Sequence, residues 1–401
     1  MAFKAEIPYG VYWSTPFARW QGSYANLNSV QFAAYVTKRE LEQRNISGSV
    51  FDYGVMGISV PQQHSFYGLP WLMSMAGASQ VGGPTISQAC ATGVRCILAG
   101  AQEIEAGLAE TALLVTCDRT SNGPHIYYPN PAGPGGTGGH EDWVLDNFSH
   151  DPLGGHAMIQ TAENVAARHG ISTLEQHELV LRRGEQYQMA LADDCAFQKR
   201  YMTLPFDVPT ANFKKTATQL AGDEGITAST ASGLAGLRPV VKEGTVTFGG
   251  QTFPADGNAA LVVASPEKSR ELSRDPAIVI RLLGFGLART ELAYMPEATV
   301  PAASRALEQA GLKVDQMAVI KSHNPFIVND ILFARKMGVD PLAMNNYGSS
   351  LIWGHPQAPT GLRGVIEMIE ELVIQGGGYG LFQGCAAGDT AMAMVIQVDN
   401  G

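Results

Sequence analysis

Along this chain, apolar residues gather in short continuous runs rather than on alternate positions. They are "TALLVTC" at 111–117, "NAALVVAS" at 258–265, "PAIVIRLLGFG" at 276–286, "MAVIKSH" at 317–323 and "TAMAMVIQV" at 390–398. Runs of this kind predict strands covered on both faces, and the helical patterns between several of them predict an α/β fold. The clearest helix is 91–109, where Val94, Ile97, Leu98, Ala101, Ile104 and Leu108 recur at helical spacing and predict one core-facing stripe. A second, "TAENVAARHG", should stop at Gly170, and a third should start at Ser172 with Glu175 completing a capping box. In the segment 360–378, Leu362, Val365, Ile366, Ile369, Leu372 and Val373 should face inward, the triple glycine should end the helix, and Glu367, Glu370 and Glu371 should form a solvated face.

Punctuation divides the chain. The Gly/Pro-rich stretch "PNPAGPGGTGGH" at 129–140 reads as irregular and lies in a broad insertion over 119–249. The expected organisation is an N-terminal half at 1–118, completed by 250–274, the insertion at 119–249, and a C-terminal half at 275–401.

Composition narrows the function. With 45% hydrophobic and 16% charged residues over 401 positions, the chain should fold around a large buried core. A net charge of −10 with no Lys/Arg-rich block argues against a nucleic-acid partner. Five cysteines without a CxxC pair argue against a disulfide framework or a structural metal site and for free thiols in a reducing compartment. The first residues carry no signal-like stretch, and no run reaches the ~18 apolar residues of a membrane span, so a cytoplasmic protein is expected.

Cys90, in "SQACATGVRCILAG", directly precedes the predicted helix of 91–109. A helix N-terminus favours a thiolate, so Cys90 is the candidate nucleophile, whereas Cys96 and Cys117 read as structural. A nucleophile needs a proton acceptor and an oxyanion site. His355 in "WGHPQAPTG" and His323 in "SHNPF" stand in turn-like contexts, and Cys385 in "FQGCAAGDTAMA" stands beside small residues that let backbone N–H groups approach a ligand. His169 and His177 read as belonging to polar helical faces.

These segments, taken in order, resemble the thiolases. "SQACATGVRCILAGAQEIEAG" looks like the family's nucleophile segment, "SNGP" matches SNxP, and "TAENVAARHGIS" is similar to TAENxA. "GTVTFGGQTFPADGNAALV", "WGHPQAPTGLRG" and "GCAAGDTAMAM" correspond to three further family motifs, so the likeness covers nearly the whole chain. It implies a thiolase fold, five layers αβαβα built from two similar halves, with the insertion as a lid on coenzyme A. It implies a thiolase that moves acyl groups between coenzyme A and carbon. Cys90 would carry the acyl group, His355 would take its proton, and Cys385 would handle the α-proton. His323, where many members have Asn, would join His355 in one oxyanion site, and the backbone N–H groups of Cys90 and Ala387 would form the other. Thr252 would lie near the pantetheine arm, Met158 and Met295 near the acyl pocket, and Arg182 and Arg183, with Lys199, Arg200, Lys214 and Lys215, are candidates for the nucleotide phosphates. Coenzyme A enters as a substrate; no tightly bound cofactor and no metal is expected, and a homodimer or dimer of dimers is implied.

Departures from the pattern bear on the substrate. Trp353 stands where a smaller residue is usual, and Tyr127, Tyr128, Trp143 and Phe148 enrich the insertion in aromatics, which either ordinary loop packing or a pocket for a bulky or aromatic acyl chain would explain. Two other readings stay open: a ketosynthase-like acyltransferase that does not require Cys385, and a thiolase-like subunit that works with a zinc-ribbon/OB-fold partner.

Overall fold

The computed structural model describes residues 3–401. The apolar runs form strands Thr111–Arg119, Ala255–Ala264, Val279–Arg289, Met317–His323 and Thr390–Asp399, joined by Tyr53–Gly57 and Gly378–Ala386. Strand Glu6–Pro8 pairs with both Ala255–Ala264 and Val279–Arg289 and so links an N-terminal and a C-terminal sheet.

The two halves share one pattern. In the first, Tyr53–Gly57 lies parallel to Thr111–Arg119, which pairs antiparallel with Ala255–Ala264. In the second, Met317–His323 lies parallel to Gly378–Ala386, which pairs antiparallel with Thr390–Asp399. Helix Thr92–Glu105 leads into the middle strand of the first half, and helix Ala358–Ile374 into that of the second. The long segment between residues 119 and 255 therefore occupies the place that the turn at 387–389 takes in the second half.

Consecutive side chains of a strand point to opposite faces, and both faces are apolar. On the N-terminal sheet, Leu113 and Val115 pack against helices Ser29–Gln43 and Gly68–Ala76, while Leu114 faces Ile97 and Leu362 of the two long helices named above. On the C-terminal sheet, Met394 and Ile396 meet the same two helices from the other side, and Ala393 and Val395 pack against helix Thr299–Ala310. The result is five layers, αβαβα, with helices Thr92–Glu105 and Ala358–Ile374 shared by both sheets. Gly93 allows their N-terminal ends to touch: a Cβ there would lie 2.6 Å from Leu362 N and 2.9 Å from Ala358 O.

Several helical expectations change. The first long helix ends at Glu105, so Leu108 lies beyond the stripe and is 76% exposed. Helix Met158–His169 does close on Gly170 at φ +59°, but Ser172 caps its helix alone, since the Glu175 carboxylate pairs with Arg335. His177 is buried, 2.9 Å from Thr247 Oγ1.

The larger correction concerns Glu367, Glu370 and Glu371, which are buried rather than solvated. A helix between two sheets has no solvated side, so its polar positions need internal partners. Arg363 donates to both Asp223 oxygens, at 2.6 and 2.8 Å, and to Glu367 at 3.0 Å. Its guanidinium lies over the rings of Phe17 and Trp353. Glu370 accepts from Tyr12 and Arg200, and Lys321 stands 3.6 Å from both Glu367 and Glu371. Replacing Arg363 with Met should leave Asp223 and Glu367 buried without their cation and cost about 3–5 kcal/mol in denaturant unfolding, whereas Leu108→Ser should cost under about 0.5 kcal/mol. A loss below about 1 kcal/mol for R363M would show that the network does not hold the central helix.

Candidate active site

Cys90 occupies the short 3₁₀ turn Ala89–Ala91, immediately before helix Thr92–Glu105. Ala89 has φ +44°, a conformation that costs an L-residue energy and persists only where its surroundings impose it. Thr92 supplies that restraint, donating to Ala89 O at 2.6 Å and accepting from Gln88 N at 2.8 Å. The turn aims Cys90 Sγ at His355 Nε2, 3.1 Å away. On its other side, His355 Nδ1 lies 2.7 Å from Thr360 Oγ1 in the first turn of the partner central helix. With its proton on Nδ1, the ring presents an Nε2 lone pair to the thiol.

Burial decides the resting charges. It pushes the Cys90 thiol up to about 12 and the His355 imidazole down to about 3, so the pair rests as neutral thiol and neutral imidazole. The helix end does not produce the expected resting thiolate, because desolvation outweighs the backbone N–H groups of Ala387 and Cys90 that favour charge on the sulfur. Those same N–H groups point at the sulfur and would favour charge there once a proton leaves it.

His323 ends strand Met317–His323 and stacks on His355, with ring centroids 4.1 Å apart. Its Nδ1 lies 2.8 Å from Ser350 Oγ, and its Nε2 is buried without a partner. Burial, then the neighbouring His355, lowers its basicity well below the ordinary range. Cys385 lies one position beyond Gly384, the register partner of His323. A Cβ at Gly384 would come within 2.8 Å of His323 Cβ, so only glycine admits this approach. Asn329 Nδ2 donates to Cys385 Sγ at 3.1 Å, while burial, then Cys90, keeps that thiol protonated. The ligand atoms of Cys90, His323 and His355 fall within 4.8 Å of one another, a set that would also suit a soft divalent ion.

A cavity of about 460 Å³ opens onto Cys90, His355 and Ala387. Thr252, Met158 and Met295 line it, as do Trp143 and Phe148, whereas Tyr127 and Tyr128 lie on an exposed hairpin. The Thr252 hydroxyl donates to Ser350 O. Trp353 is buried against Phe17 and Arg363, away from the cavity wall. Arg183, expected at the nucleotide, is fully buried and spends its guanidinium on Asp330, Gln186, Pro341 O and Met344 O. Arg182 contacts Leu342 O and Glu185, Lys199 pairs with Asp194, and Arg200 pairs with Glu370; none of them lines the cavity, nor do Lys214 and Lys215.

Sequence reading missed the base on which the site rests. Asp118 accepts from Ser59 N, Val60 N, Ser59 Oγ and Ala358 N, and so ties the end of a strand to the start of the second central helix. Burial raises this carboxylate to about 7 against those four donors. Ser59 Oγ also lies 2.8 Å from Gln357 Oε1, and both residues line the cavity. No residue type or spacing around Asp118 or Ser59 marks this arrangement in the sequence.

Comparison with known proteins agrees with the architecture. Residues 13–267 match the model of the thiolase N-terminal domain and 277–398 that of the thiolase C-terminal domain. The acetyl-CoA acetyltransferase of Escherichia coli K12 is 28% identical over 394 residues, covering 96% of each chain. The human mitochondrial 3-ketoacyl-CoA thiolase is also 28% identical over 394 residues, again covering 96% of each. The crystal structure of that human thiolase superposes with a TM-score of 0.89 at 26% identity, covering 99% of this chain and 100% of the other. Its complex with CoA superposes at 0.88, covering 99% of both chains. Two domain models in sequence and a full-length superposition establish that this chain belongs to the thiolase family, has the thiolase fold and is an acyltransferase.

Proposed function

We propose that the protein cleaves 3-oxoacyl-CoA thioesters, or runs the reverse condensation, through an acyl group carried on Cys90. The observation that carries this reading is the 3.1 Å contact between Cys90 Sγ and a neutral His355 Nε2, with a second buried thiol, Cys385, near enough to feel Cys90. The CoA complex of the human relative supports coenzyme A as the co-substrate. In cleavage, His355 takes the Cys90 proton as sulfur attacks the 3-keto carbon, and the oxygen becomes an anion facing N–H donors. The C2–C3 bond breaks, its electron pair passes to the acetyl thioester as an enolate, and the Cys385 S–H protonates C2. Coenzyme A then attacks the Cys90 thioester and leaves its thiol proton on Cys385, while His355 returns its proton to Cys90. His323 Nε2, buried and unpartnered, suits the thioester oxygen of the enolate.

In the same proposal, residues 119–249 form the lid over coenzyme A between the halves 1–118 with 250–274 and 275–401. Trp143, Phe148 and Met158 of that segment line the cavity, and the two aromatic rings suit a bulky or aromatic acyl group. The sheet ends on the short strand Thr85–Ile86, an open edge that fits a homodimer.

Three measurements test the assignment. Mass spectrometry after incubation with a panel of 3-oxoacyl-CoAs should find the acyl mass on Cys90; an adduct on another side chain would remove the nucleophile. Cys385→Ala should still acylate Cys90 from a simple acyl-CoA yet lose about 10²–10⁴-fold in carbon–carbon cleavage; unchanged turnover would favour a ketosynthase-like chemistry instead. Since an acid raised to about 12 stays protonated below that pH, alkylation of Cys90 by iodoacetamide should climb about tenfold per pH unit from roughly pH 7 to 10. A plateau beginning below about pH 8 would reveal a preformed thiolate–imidazolium pair.

A further inference from the structure

A second cavity, of about 630 Å³, shares Ala89 and Ala387 with the first and so adjoins it at the turn that carries Cys90. Three arginines from three elements reach it: Arg95 from the first central helix, Arg289 from the end of strand Val279–Arg289, and Arg305 from helix Thr299–Ala310. Each spends one N–H on the protein, Arg95 on Gln88 Oε1, Arg289 on Gly388 O and Arg305 on Leu287 O. Among the described residues, no ion pair includes any of the three. Asp151 feels the charge of Arg289 but accepts from the N–H groups of Leu153 and Gly154. On a chain of net charge −10, three unpaired guanidiniums around one cavity are a local inversion of sign.

We infer that this cavity receives a carboxylate on the acyl part of the substrate, so that the preferred thioester is an acidic 3-oxoacyl-CoA. The inference rests on the thiolase reading above and names its substrate class. Leu287, Ala288 and Ala387 give the cavity an apolar stretch beside the arginines, which matches a short hydrocarbon chain ending in an anion. Guanidinium forks bind carboxylates through paired N–H groups. The phosphates of coenzyme A are the other source of such an anion. They fit less well, because Thr252, which the family resemblance puts beside the pantetheine arm, lines the first cavity and not this one.

The test compares 3-oxoadipyl-CoA with 3-oxohexanoyl-CoA, equal in chain length and differing in a terminal carboxylate against a methyl group. Wild-type thiolysis should favour the acid by about tenfold or more in kcat/KM, and Arg289→Ala with Arg305→Ala should erase that preference while sparing the neutral substrate. Arg289→Lys should restore part of it. Calorimetric binding of both thioesters and of coenzyme A alone to the Cys90→Ala chain needs no turnover and should show the same discrimination. Equal binding of the two thioesters would overturn the carboxylate site and leave the thiolase reading standing. A double variant that weakens coenzyme A alone as much as the acid would assign the arginines to its phosphates and likewise overturn the site. Failure of the chain to bind any of the three ligands would remove the thiolase reading and this inference with it.

Discussion

Everything in the site depends on two helix N-termini being pressed together in the middle layer. Cys90 precedes one of these helices and His355 the other, and the absence of a side chain at Gly93 lets the backbone at Ala358 and Leu362 come into contact. That close approach turns a separation of 265 positions in the chain into a 3.1 Å contact between sulfur and nitrogen. Asp118 reinforces it by accepting from Ala358 N while holding Ser59 and Val60. The geometry is therefore a property of packed backbone rather than of flexible side chains, as sub-ångström positioning requires.

The same burial sets the electrostatics. Desolvation keeps two thiols and two imidazoles neutral at rest, so charge appears only when a proton moves between them. A neutral resting site avoids the cost of holding an unpaired ion in a dry interior, and it concentrates stabilisation on the species formed during reaction. Elsewhere in the same layer the chain takes the opposite course, pairing Arg363 with Asp223 and Glu367 as full charges. The difference lies in partners: the central helix has ions paired with one another, whereas Asp118 beneath the Cys90 cluster commits its oxygens to Ser59, Val60 and Ala358.

The two cavities divide the tasks around the nucleophile. One is apolar and aromatic, and the other is rimmed by arginines. Both touch Ala89 and Ala387, so they adjoin at the turn that carries Cys90. In the proposed reaction, specificity would come from these walls, while Cys90, His323, His355 and Cys385 would serve any acyl group.

The apolar runs by themselves determined the strands at 111–119, 255–264, 279–289, 317–323 and 390–399, and motif order determined the family, because continuous apolar stretches and turn chemistry are local signals. Cys90, His323, His355 and Cys385 could be picked out one by one for the same reason. Strand Gly378–Ala386 was legible only in its final turn, since its glycines and Gln383 dilute the apolar pattern. Tertiary structure alone decided that Glu367, Glu370 and Glu371 face inward: a charged helical stripe reads as solvent-facing unless a second sheet is known to cover it. It also withdrew Arg183 from the surface, recruited Asp118 beneath the site, and reversed the direction expected for the Cys90 thiol. Each of these follows from desolvation and partnership, which depend on what distant parts of the chain bring alongside a residue and leave no trace in its sequence neighbourhood.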